Sequence, residues 1–556
     1  MNLISELKAI QDRHGYLPES ELRAFSQRAT VPLYQIQAVA SFYPHFRTQP
    51  PPAIDIKVCR DLSCHMTGAQ RLHQLALQQI TPEGSCTVSG VSCLGRCDQA
   101  PALAINDTIY AGVDEQRFQH LCAAFRQGAT PDNTLIQHGS TVYAIDPYDQ
   151  SNDWFGALRR LLATGNVTAV IQTLKDSGLR GMGGAGFPTG LKWEIVRNAA
   201  GNEKYVVVNA DESEPGTFKD RFLMEKFPHL LIEGILLGAA VVGATKAFIF
   251  IRHEYPDQEH RIEKALADAR AQGAVGTRIF GSEFSCDLEL FVSAGGYICG
   301  EETALLEALE GKRAEPRNKP PFPGTHGLWG KPTLINNVET LSMIPGILQH
   351  GGDWFKAQGR NNNGLKYLGL SGHVERPGVY EVPLGLSVEE FIRDYGGGIS
   401  TGKKLKAFSP GGASSGFLPA SMTNVALDFQ SLTQVGSMLG SGAVVALAEG
   451  VCMLDVALNV VTFFRNESCG KCVPCRVGSD KIVQILTRAT QGQAETSEID
   501  LIGELAETMQ LTSICGLGQA APLPITSALK YFGDEIMTHL TQKRCPEGVC
   551  FRGIRG

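Results

Sequence analysis

The chain has 556 residues, of which 43% are hydrophobic and 19% charged, and its formal net charge is -7. This length exceeds what one hydrophobic core supports and predicts about three or four domains. The charge gives no reason to expect nucleic-acid or membrane-surface binding. The N-terminal stretch is amphipathic and mixed in charge, unlike a secretory signal. The longest apolar stretch contains Glu233 and Lys246, which favours a buried helix followed by a strand over a membrane span. We therefore expect a cytoplasmic protein without a membrane span.

The first third of the sequence predicts a helical segment followed by a small α/β unit. Residues 1–50 show helical periodicity, with Pro18 at the start of a second helix, and the proline run after Gln49 closes the segment. Residues 53–127 read as a strand, a helix and a second strand, AIDIKVC, GAQRLHQLALQQ and GSCTVSGVSC. Residues 128–149 are polar and predict a linker.

The remainder predicts three further domains. Residues 150–360 form a larger α/β region that contains most of the glycine-rich and acidic motifs. Residues 365–445 read as a compact β-rich module that begins with a hairpin, YLGLSGHVERPGVYEVPLG. Residues 450–540 have a helical pattern, and residues 541–556 form a tail.

Eight of the 15 cysteines fall into two groups of four. The first group has the form C-x4-C and C-x3-C, each pair after a strand-like segment: Cys59, Cys64, Cys93 and Cys97. In a chain without a secretion signal, clustered cysteines bind metal or do redox chemistry more often than they form disulfides. Thiolates on two loops at one end of a sheet suit a 2Fe–2S cluster, with zinc or disulfides as the alternatives.

Residues 1–127 resemble a known protein family in both their helical segment and their cysteine spacing. The segment IQDRHGYLPESELRAFSQRATVPLYQIQAVASFY, followed by the two cysteine pairs, is similar to the thioredoxin-like 2Fe–2S subunit of respiratory complex I and its relatives. The resemblance implies a helical N-terminus followed by a thioredoxin-like 2Fe–2S domain.

The second cysteine group has the form C-x2-C-x2-C with a remote fourth member: Cys469, Cys472, Cys475 and Cys515. Three closely spaced thiolates and one distant thiolate are typical of a 4Fe–4S cluster. Lys471 and Arg476 would offset the charge of such a cluster.

Seven cysteines remain outside these two groups. Cys545 and Cys550 lie in the tail and are too few to hold a cluster alone. We interpret them as packing contacts, with a shared or partner-completed metal site as the alternative. The other five read as buried apolar residues, and the 13 histidines show no ligand-spaced cluster: Cys86, Cys122, Cys286, Cys299 and Cys452.

A glycine-rich loop, GLRGMGGAGFPTGLKW, begins at Gly178 and contains the spacing G-x-G-x-x-G. The segment before it reads as a helix rather than a strand, which argues against an ordinary dinucleotide-binding βαβ unit. Glycines at this density allow backbone N–H groups to approach a phosphate or a flat ring, although the loop could also be a simple connection.

Polar residues follow predicted strands in three other segments, YVVVNADESEPGTFKDR, AGGYICGEETALLEALEGKRAEPRNKPPFP and KPTLINNVET. Polar side chains at strand ends are where α/β folds bind ligands. A solvated acidic surface could explain one of these segments, but not all three beside glycine-rich turns.

Residues 150–540 resemble the flavoprotein subunit of respiratory complex I, and SGHVERPGVY resembles the ubiquitin-like β-grasp module of that family. The resemblance implies an FMN site formed by Gly181, Gly183, Lys192, Asn209, Asp211, Tyr297, Gly300, Glu301, Asn336 and Asn337. It also implies NAD(H) stacked on the flavin, with contacts from Phe187, Glu214, Glu302, Lys319 and Phe322.

Two positions depart from the family pattern. Met182 stands where complex I flavoproteins commonly have Arg, and Ile195 stands where an aromatic side chain often helps to hold adenine. The predicted fold class is thus a multidomain α/β protein with a helical N-terminus, a thioredoxin-like 2Fe–2S domain, an FMN-binding α/β domain, a ubiquitin-like β-grasp module and a C-terminal helical bundle with a 4Fe–4S cluster.

These cofactors predict a diaphorase, because NADH delivers two electrons as hydride whereas iron–sulfur clusters take electrons singly, and a flavin connects the two. Acidic residues near the site favour NAD over NADP. A redox-sensing subunit that has lost its flavin and a zinc-binding scaffold are the alternatives from other functional classes.

The parent enzyme is predicted from motif likeness alone. The fusion of both modules in one chain argues against ordinary complex I, where they are usually separate subunits. The segments GLRGMGG, IRHEYP, PGGASSGFLPASM and SICGLGQAAPLP, together with the intact first cysteine group, look closest to the beta subunit of NAD-dependent formate dehydrogenase. This resemblance implies a hetero-oligomer with a large catalytic subunit that carries a molybdenum or tungsten pterin cofactor and further iron–sulfur clusters. The alternatives are the diaphorase subunit of an NAD-reducing nickel–iron hydrogenase and a complex I-type NADH dehydrogenase subunit.

Overall fold

The computed structural model describes residues 2–78, 86–133, 143–148 and 154–550. The predicted linker over 128–149 and the predicted tail over 541–556 therefore lie partly outside the described residues.

The N-terminal helices pack on the largest domain of the chain. They are α1 Leu3–His14, α2 Glu19–Ala29 and α3 Leu33–Ala40. As predicted, Pro18 precedes α2 directly, since its fixed φ suits a helix start. The Tyr43 hydroxyl donates a hydrogen bond to the Lys312 carbonyl at 2.6 Å, and Leu7 and Phe25 share a buried cluster with residues of the later helices.

The small α/β domain has a four-stranded sheet of order β2-β1-β3-β4, in which β1 and β2 are parallel and the other pairs antiparallel. The elements are β1 Ile54–Cys59, α4 Leu62–Met66, α5 Ala69–Leu77, β2 Cys86–Val91, β3 Ala102–Ile105, β4 Thr108–Ala111 and α6 Glu115–Arg126. The parallel pairing brings the ends of β1 and β2 to one edge, where both cysteine pairs begin.

The largest domain has a parallel sheet of order β7-β6-β5-β8 with helices packed against it. Its elements are α7 Gly156–Thr164, α8 Val167–Asp176, α9 Thr189–Asn198, β5 Tyr205–Ala210, α10 Lys219–Lys226, α11 Pro228–Val242, β6 Lys246–Arg252, α12 Pro256–Ala271, β7 Asp287–Ser293, α13 Glu302–Leu309, β8 Thr333–Asn337, α14 Val338–His350 and α15 Gly352–Ala357. The apolar stretch around Glu233 forms α11 and β6, which confirms the predicted helix and strand. The strand order reverses at β5, because β6 and β8 lie on opposite sides of it, and such a switch point opens a crevice beyond the strand ends.

The β-rich module has a five-stranded sheet of order β10-β9-β13-β11-β12. Its elements are β9 Leu365–Gly372, β10 Gly378–Pro383, α16 Val388–Glu390, β11 Leu405–Ser409, β12 Leu418–Pro419, α17 Phe429–Gln434 and β13 Ala443–Ala448. The predicted hairpin is β9 and β10, which pair antiparallel. Strand β13 continues past the predicted boundary at residue 445, because it completes the sheet between β9 and β11.

The C-terminal region is helical, as predicted. It consists of α18 Met453–Glu467, α19 Val473–Thr490, α20 Glu498–Thr512, α21 Gly516–Ala520 and α22 Leu523–Thr541. Among the described helices, none combines the length and the apolar character that a membrane crossing needs.

Candidate functional site

A cavity of about 420 Å³ opens at the carboxyl ends of β5 and β8, where the strand order reverses. Its volume is in the range of small-molecule and cofactor sites. The walls come from the largest domain, the β-rich module and the helical bundle. Eight residues predicted for FMN or NAD line it: Gly183, Asn209, Asp211, Glu214, Tyr297, Gly300, Glu301 and Asn337.

Backbone forms part of the cavity wall because glycines keep it free of side chains. A Cβ atom on Gly183 would lie 3.0 Å from the Asn337 Cβ, so the loop and the end of β8 approach as closely as glycine permits. The Asn209 side-chain amide, also at the cavity, donates to the Gly300 carbonyl at 2.7 Å. Backbone free of side chains allows a flat ring to approach closely.

The Asp211 carboxyl provides a polar group that a ligand would satisfy. Asp211 is buried, and its Oδ2 accepts a hydrogen bond from the Ser213 hydroxyl at 3.1 Å. Its Oδ1 has no hydrogen-bond partner in the described part of the chain. Burial raises the pKa of this carboxyl to about 8. Because buried acceptors are almost always paired, the residues fit a flavin, whose ribityl and ring groups offer donors.

Three predicted FMN residues stand behind the cavity wall instead of lining it. The Gly181 N–H donates to the Phe187 carbonyl at 2.8 Å, which closes the glycine-rich loop. The Lys192 ammonium donates to a strand carbonyl at 2.9 Å, and burial lowers its pKa. The Asn336 side chain accepts a hydrogen bond from the Trp193 indole at 3.0 Å. The Gly181 backbone and the Lys192 and Asn336 side chains therefore hold the loop, α9 and β8 in place.

The residues predicted for NAD divide into a charged group and an exposed apolar group. The Lys319 ammonium lies 2.8 Å from carboxylates of both Glu301 and Glu302. Phe187 and Phe322 are 43% and 58% exposed, an accessibility that leaves their rings available for stacking.

The second departure from the family pattern lies at the same surface. Ile195 is 42% exposed on α9. A Cβ atom on Gly324 would lie 3.4 Å from its Cγ2 atom. The Phe322 segment therefore packs against this face of α9 with an aliphatic side chain at the contact.

Several residues of the site were not predicted from the sequence. Ser414 lines the cavity and donates its backbone N–H to the Glu214 carboxylate at 2.8 Å, so the β-rich module contacts the acidic strand end directly. The other cavity residues outside the prediction include Lys219, Asp220, Met438, Ser441, Leu517 and Gln519. The segment PGGASSG enters the sequence prediction only through its likeness to a family, although its glycine density is a signal for a ligand-binding loop.

Met182, at the position where complex I flavoproteins commonly have Arg, is buried beside a lysine. The Lys366 ammonium lies 3.2 Å from the Met182 carbonyl oxygen and 2.9 Å from the Glu339 carboxylate. An arginine at position 182 would bring another positive charge toward this buried lysine.

The first cysteine group converges at the edge of the small α/β domain and is fully buried. Cys59 ends β1 and Cys64 lies on α4. The Cys93 and Cys97 sulfur atoms are 3.4 Å apart. The backbone N–H of Gly216 donates to the Cys97 sulfur at 3.3 Å. Gly216 lies two residues after Glu214, so this cysteine group adjoins the cavity. Four buried thiols in two loops fit a 2Fe–2S cluster.

Buried arginines fasten this cysteine group to the largest domain. The Arg252 guanidinium donates to the Cys93 carbonyl at 2.6 Å. The Arg221 guanidinium lies 2.6 Å from the Asp98 carboxylate and donates to the Gly95 carbonyl. Both arginines are buried, so the two domains form one continuous structure here.

The second cysteine group lies where three helices of the bundle meet. Cys469 follows α18, Cys472 precedes α19, Cys475 lies in its first turn and Cys515 precedes α21. Gly516 and Leu517, directly after Cys515, line the cavity. The Lys471 ammonium donates to the Pro316 carbonyl at 2.6 Å, which places its positive charge beside this cysteine group. The donor set fits a 4Fe–4S cluster beside the flavin cavity.

Family models match four segments of the chain. Residues 174–346 match the Nuo51 FMN-binding domain, 455–539 the NADH-ubiquinone oxidoreductase-F iron–sulfur binding region, 1–126 the thioredoxin-like [2Fe-2S] ferredoxin and 367–418 the SLBB domain. The F 2 subunit of NADH-quinone oxidoreductase in Rhizobium meliloti is 46% identical over 393 residues, which are 70% of this chain and 93% of that protein.

The chain belongs to the family of NADH-quinone oxidoreductase F subunits.

Other relatives of these F subunits match as well. NADP-reducing hydrogenase subunit HndC of Solidesulfovibrio fructosivorans is 44% identical over 73% of this chain and 83% of that protein. A crystal structure of NAD+-reducing [NiFe]-hydrogenase in the H2-reduced state contains a chain that matches with a TM-score of 0.88 and 31% identity, over 97% of this chain and 94% of that chain.

The fold class and cofactors predicted from the sequence are confirmed. This member of the F-subunit family is an NADH-binding FMN diaphorase subunit that combines a thioredoxin-like 2Fe–2S domain, an FMN-binding domain, an SLBB module and a helical 4Fe–4S region. It relays electrons between NAD(H) and iron–sulfur clusters.

Proposed function

We propose that the chain is the diaphorase subunit of an NAD-dependent formate dehydrogenase, which couples formate and NAD+ to carbon dioxide and NADH in a reversible reaction. The structural observation that carries this proposal is the buried first cysteine group against Gly216. The chain retains a complete 2Fe–2S ligand set fused to the flavin domain, the combination noted in formate dehydrogenase beta subunits. The motifs around Met182 and Cys515 support the same assignment by resemblance.

We propose that FMN occupies the 420 Å³ cavity, and that the lining residues contact it while Gly181, Lys192 and Asn336 hold the wall. A bound flavin would accept a hydride from NADH and pass electrons singly to clusters. The chain's own contribution would be to orient the ring against the backbone at Gly183 and to keep water from it. Asp211 would accept a hydrogen bond from the ligand through Oδ1.

NAD(H) is proposed to bind at the exposed face beside this cavity. Phe187 and Phe322 would stack on the adenine. Lys319, held by Glu301 and Glu302 at 2.8 Å, would contact polar groups of the dinucleotide. The nearby carboxylates disfavour a 2′-phosphate, which supports NAD over NADP.

The partner in this proposal is a large catalytic subunit with a molybdenum or tungsten pterin cofactor, in a cytoplasmic hetero-oligomer. The second candidate is the diaphorase subunit of a nickel–iron hydrogenase. It is favoured by the structural match over 97% of this chain to a chain of an NAD+-reducing [NiFe]-hydrogenase.

Metal analysis of the native complex separates the two candidates. The tagged chain is expressed in its native organism and purified without oxygen. The large subunit that co-purifies is analysed for molybdenum, tungsten and nickel. We expect molybdenum or tungsten together with formate-dependent NAD+ reduction. Nickel with hydrogen-dependent NAD+ reduction would replace formate dehydrogenase by hydrogenase and leave the diaphorase assignment unchanged.

A further inference from the structure

Three thiols and one imidazole converge away from both cluster sites. They belong to Cys452, at the N-terminal cap of α18, His539, near the end of α22, and the tail residues Cys545 and Cys550. Their ligand atoms all lie within 4.8 Å of one another. The Cys452 sulfur is 3.4 Å from the His539 Nε2 atom and 3.7 Å from the Cys550 sulfur.

These separations match the edges of a tetrahedron around a single ion. Zn–S bonds of about 2.3 Å and Zn–N bonds of about 2.0–2.1 Å place tetrahedral ligands about 3.8 Å apart for two sulfurs and about 3.6 Å apart for sulfur and nitrogen. A disulfide between Cys452 and Cys550 does not fit, because its sulfurs would be about 2.05 Å apart. A cluster of several irons spreads its outer thiolates more widely than one ion does.

The histidine ring is oriented for metal binding. His539 is buried, and its Nδ1 atom lies 2.8 Å from the Glu535 carbonyl one helical turn earlier. An Nδ1–H that donates to this carbonyl leaves the Nε2 lone pair directed toward the thiols. Metal-binding histidines usually donate their second ring N–H in this way.

A second layer of contacts holds the ligand segments together. The Glu535 carboxylate accepts the Met453 N–H at 2.8 Å, next to the first cysteine. The Lys406 ammonium lies 2.7 Å from Glu535 and 2.8 Å from Glu547, which stands between the two tail cysteines. It also donates to the Val451 carbonyl at 2.6 Å. The segments that bear the four ligands are thus tied through one lysine.

We propose that the chain contains a structural zinc site, separate from both iron–sulfur clusters, whose ligands are Cys452, His539, Cys545 and Cys550. A Cys3His set with four protein ligands leaves no open position, which is typical of structural zinc. The ion would not carry electrons, because Zn2+ has no redox chemistry.

The site lies at the opposite end of α18 from the 4Fe–4S cysteines. Helix α18 has 15 residues, which corresponds to a length of about 22 Å. Zinc would therefore hold the tail segment against the start of α18 and the end of α22. This role is separate from electron transfer. The sequence predicts Cys452 to be a buried apolar residue and shows no ligand-spaced histidine cluster. Cys452 is separated from His539 by 87 residues and from Cys550 by 98 residues, so their spacing does not connect them.

Metal analysis of the full chain, with its clusters assembled, tests the proposal. We expect about one zinc per chain beside about six irons from the two clusters. Cys550→Ser removes one ligand in a partly buried tail segment and should lower the bound zinc at least tenfold after dialysis, with iron and flavin contents unchanged. The matched control is Cys286→Ser, a buried cysteine outside the three groups, which should keep its zinc.

A spectroscopic experiment supplies a second, independent measurement. Chain grown with cobalt in place of zinc should show tetrahedral d–d bands and thiolate-to-cobalt charge transfer, both altered in His539→Cys, which keeps four ligands but changes the donor set. Wild-type chain that binds no zinc when zinc is supplied, or a Cys550→Ser chain with as much zinc as the control, would overturn the proposal. Iron in place of zinc at this site would also overturn it.

Discussion

The Glu467 carboxylate accepts the Tyr297 backbone N–H at 2.7 Å. Tyr297 lines the flavin cavity, and Glu467 is the last residue of α18, two positions before the first 4Fe–4S cysteine. Its other oxygen accepts the Ser92 hydroxyl, beside the first cysteine of the second 2Fe–2S pair. One carboxylate therefore links the flavin cavity with the surroundings of both clusters.

Replacing Glu467 by Gln should weaken flavin binding. A glutamine keeps one acceptor oxygen but loses the charge and the second acceptor, and hydrogen bonds to charged groups contribute about 1.5–3 kcal/mol. We expect the flavin dissociation constant to rise about tenfold or more, measured by flavin fluorescence on dilution. Glu504→Gln, on the exposed face of α20, is the control. Equal flavin affinity in both variants would show that the contact to Tyr297 does not hold the cavity wall.

Gly183→Ala should impair flavin binding for a steric reason. The added Cβ would meet the Asn337 Cβ at 3.0 Å, and overpacking of this kind typically costs about 1–3 kcal/mol. We expect a tenfold or larger loss of flavin affinity, with both clusters retained. Gly503→Ala is the matched control, because nothing lies within 4 Å of its Cβ position on a helix. Full flavin occupancy in Gly183→Ala would contradict the close-packed wall.

The Asp211 carboxyl should make the flavin-free protein less stable as the pH rises. Its pKa is raised by burial from 3.8 to about 8, so the folded state binds this proton more tightly than the unfolded state. The stabilisation is complete below about pH 4 and is lost as the pH rises through about 8. We expect the unfolding temperature to fall between these limits, and to fall less in Asp211→Asn.

The control for Asp211→Asn is Asp353→Asn, because the Asp353 side chain is 93% exposed. Its unfolding temperature should follow the wild-type pH dependence. If Asp211→Asn also follows the wild-type curve, the buried carboxyl is already ionised in the folded protein.

The pair of Arg221 and Asp98 should be coupled across the domain interface. Both side chains are buried and lie 2.6 Å apart, and removal of one partner from a buried pair costs about 3–5 kcal/mol. We expect Arg221→Met to lower the unfolding temperature and to release the 2Fe–2S cluster. Asp98→Asn in the same chain should restore part of the loss. A double variant whose loss equals the sum of the two single losses would show that the residues act independently.

Local patterns predicted the elements and ligand types well. Pro18 before α2, the apolar helix and strand around Glu233, and both cysteine groups were visible because each depends on residues close together in sequence. The resemblance to a known family supplied the cavity residues such as Asn209 and Tyr297, which spacing alone did not identify.

Contacts between distant segments could not be predicted from local patterns. Three hydrogen bonds each join segments that are more than one hundred residues apart in sequence. They are those from the Ser414 N–H to Glu214, from the Gly216 N–H to Cys97 and from the Ser92 hydroxyl to Glu467. No periodicity encodes such contacts, since they follow from how the domains pack. For the same reason the sequence did not predict the contact between Cys452 and His539. Each of the two residues alone is typical of an ordinary position at or in a helix.

The arginines that join the small α/β domain to the flavin domain have a consequence for how the enzyme can be built. Arg221 and Arg252 reach from one domain to backbone carbonyls and a carboxylate of the other, as contacting surfaces of separate proteins do. The N-terminal helical segment also contacts the flavin domain, where the Tyr43 hydroxyl donates to the Lys312 carbonyl. A gene divided between the two domains would therefore yield two polypeptides that already possess a matched docking surface, and covalent fusion chiefly fixes their stoichiometry at one to one.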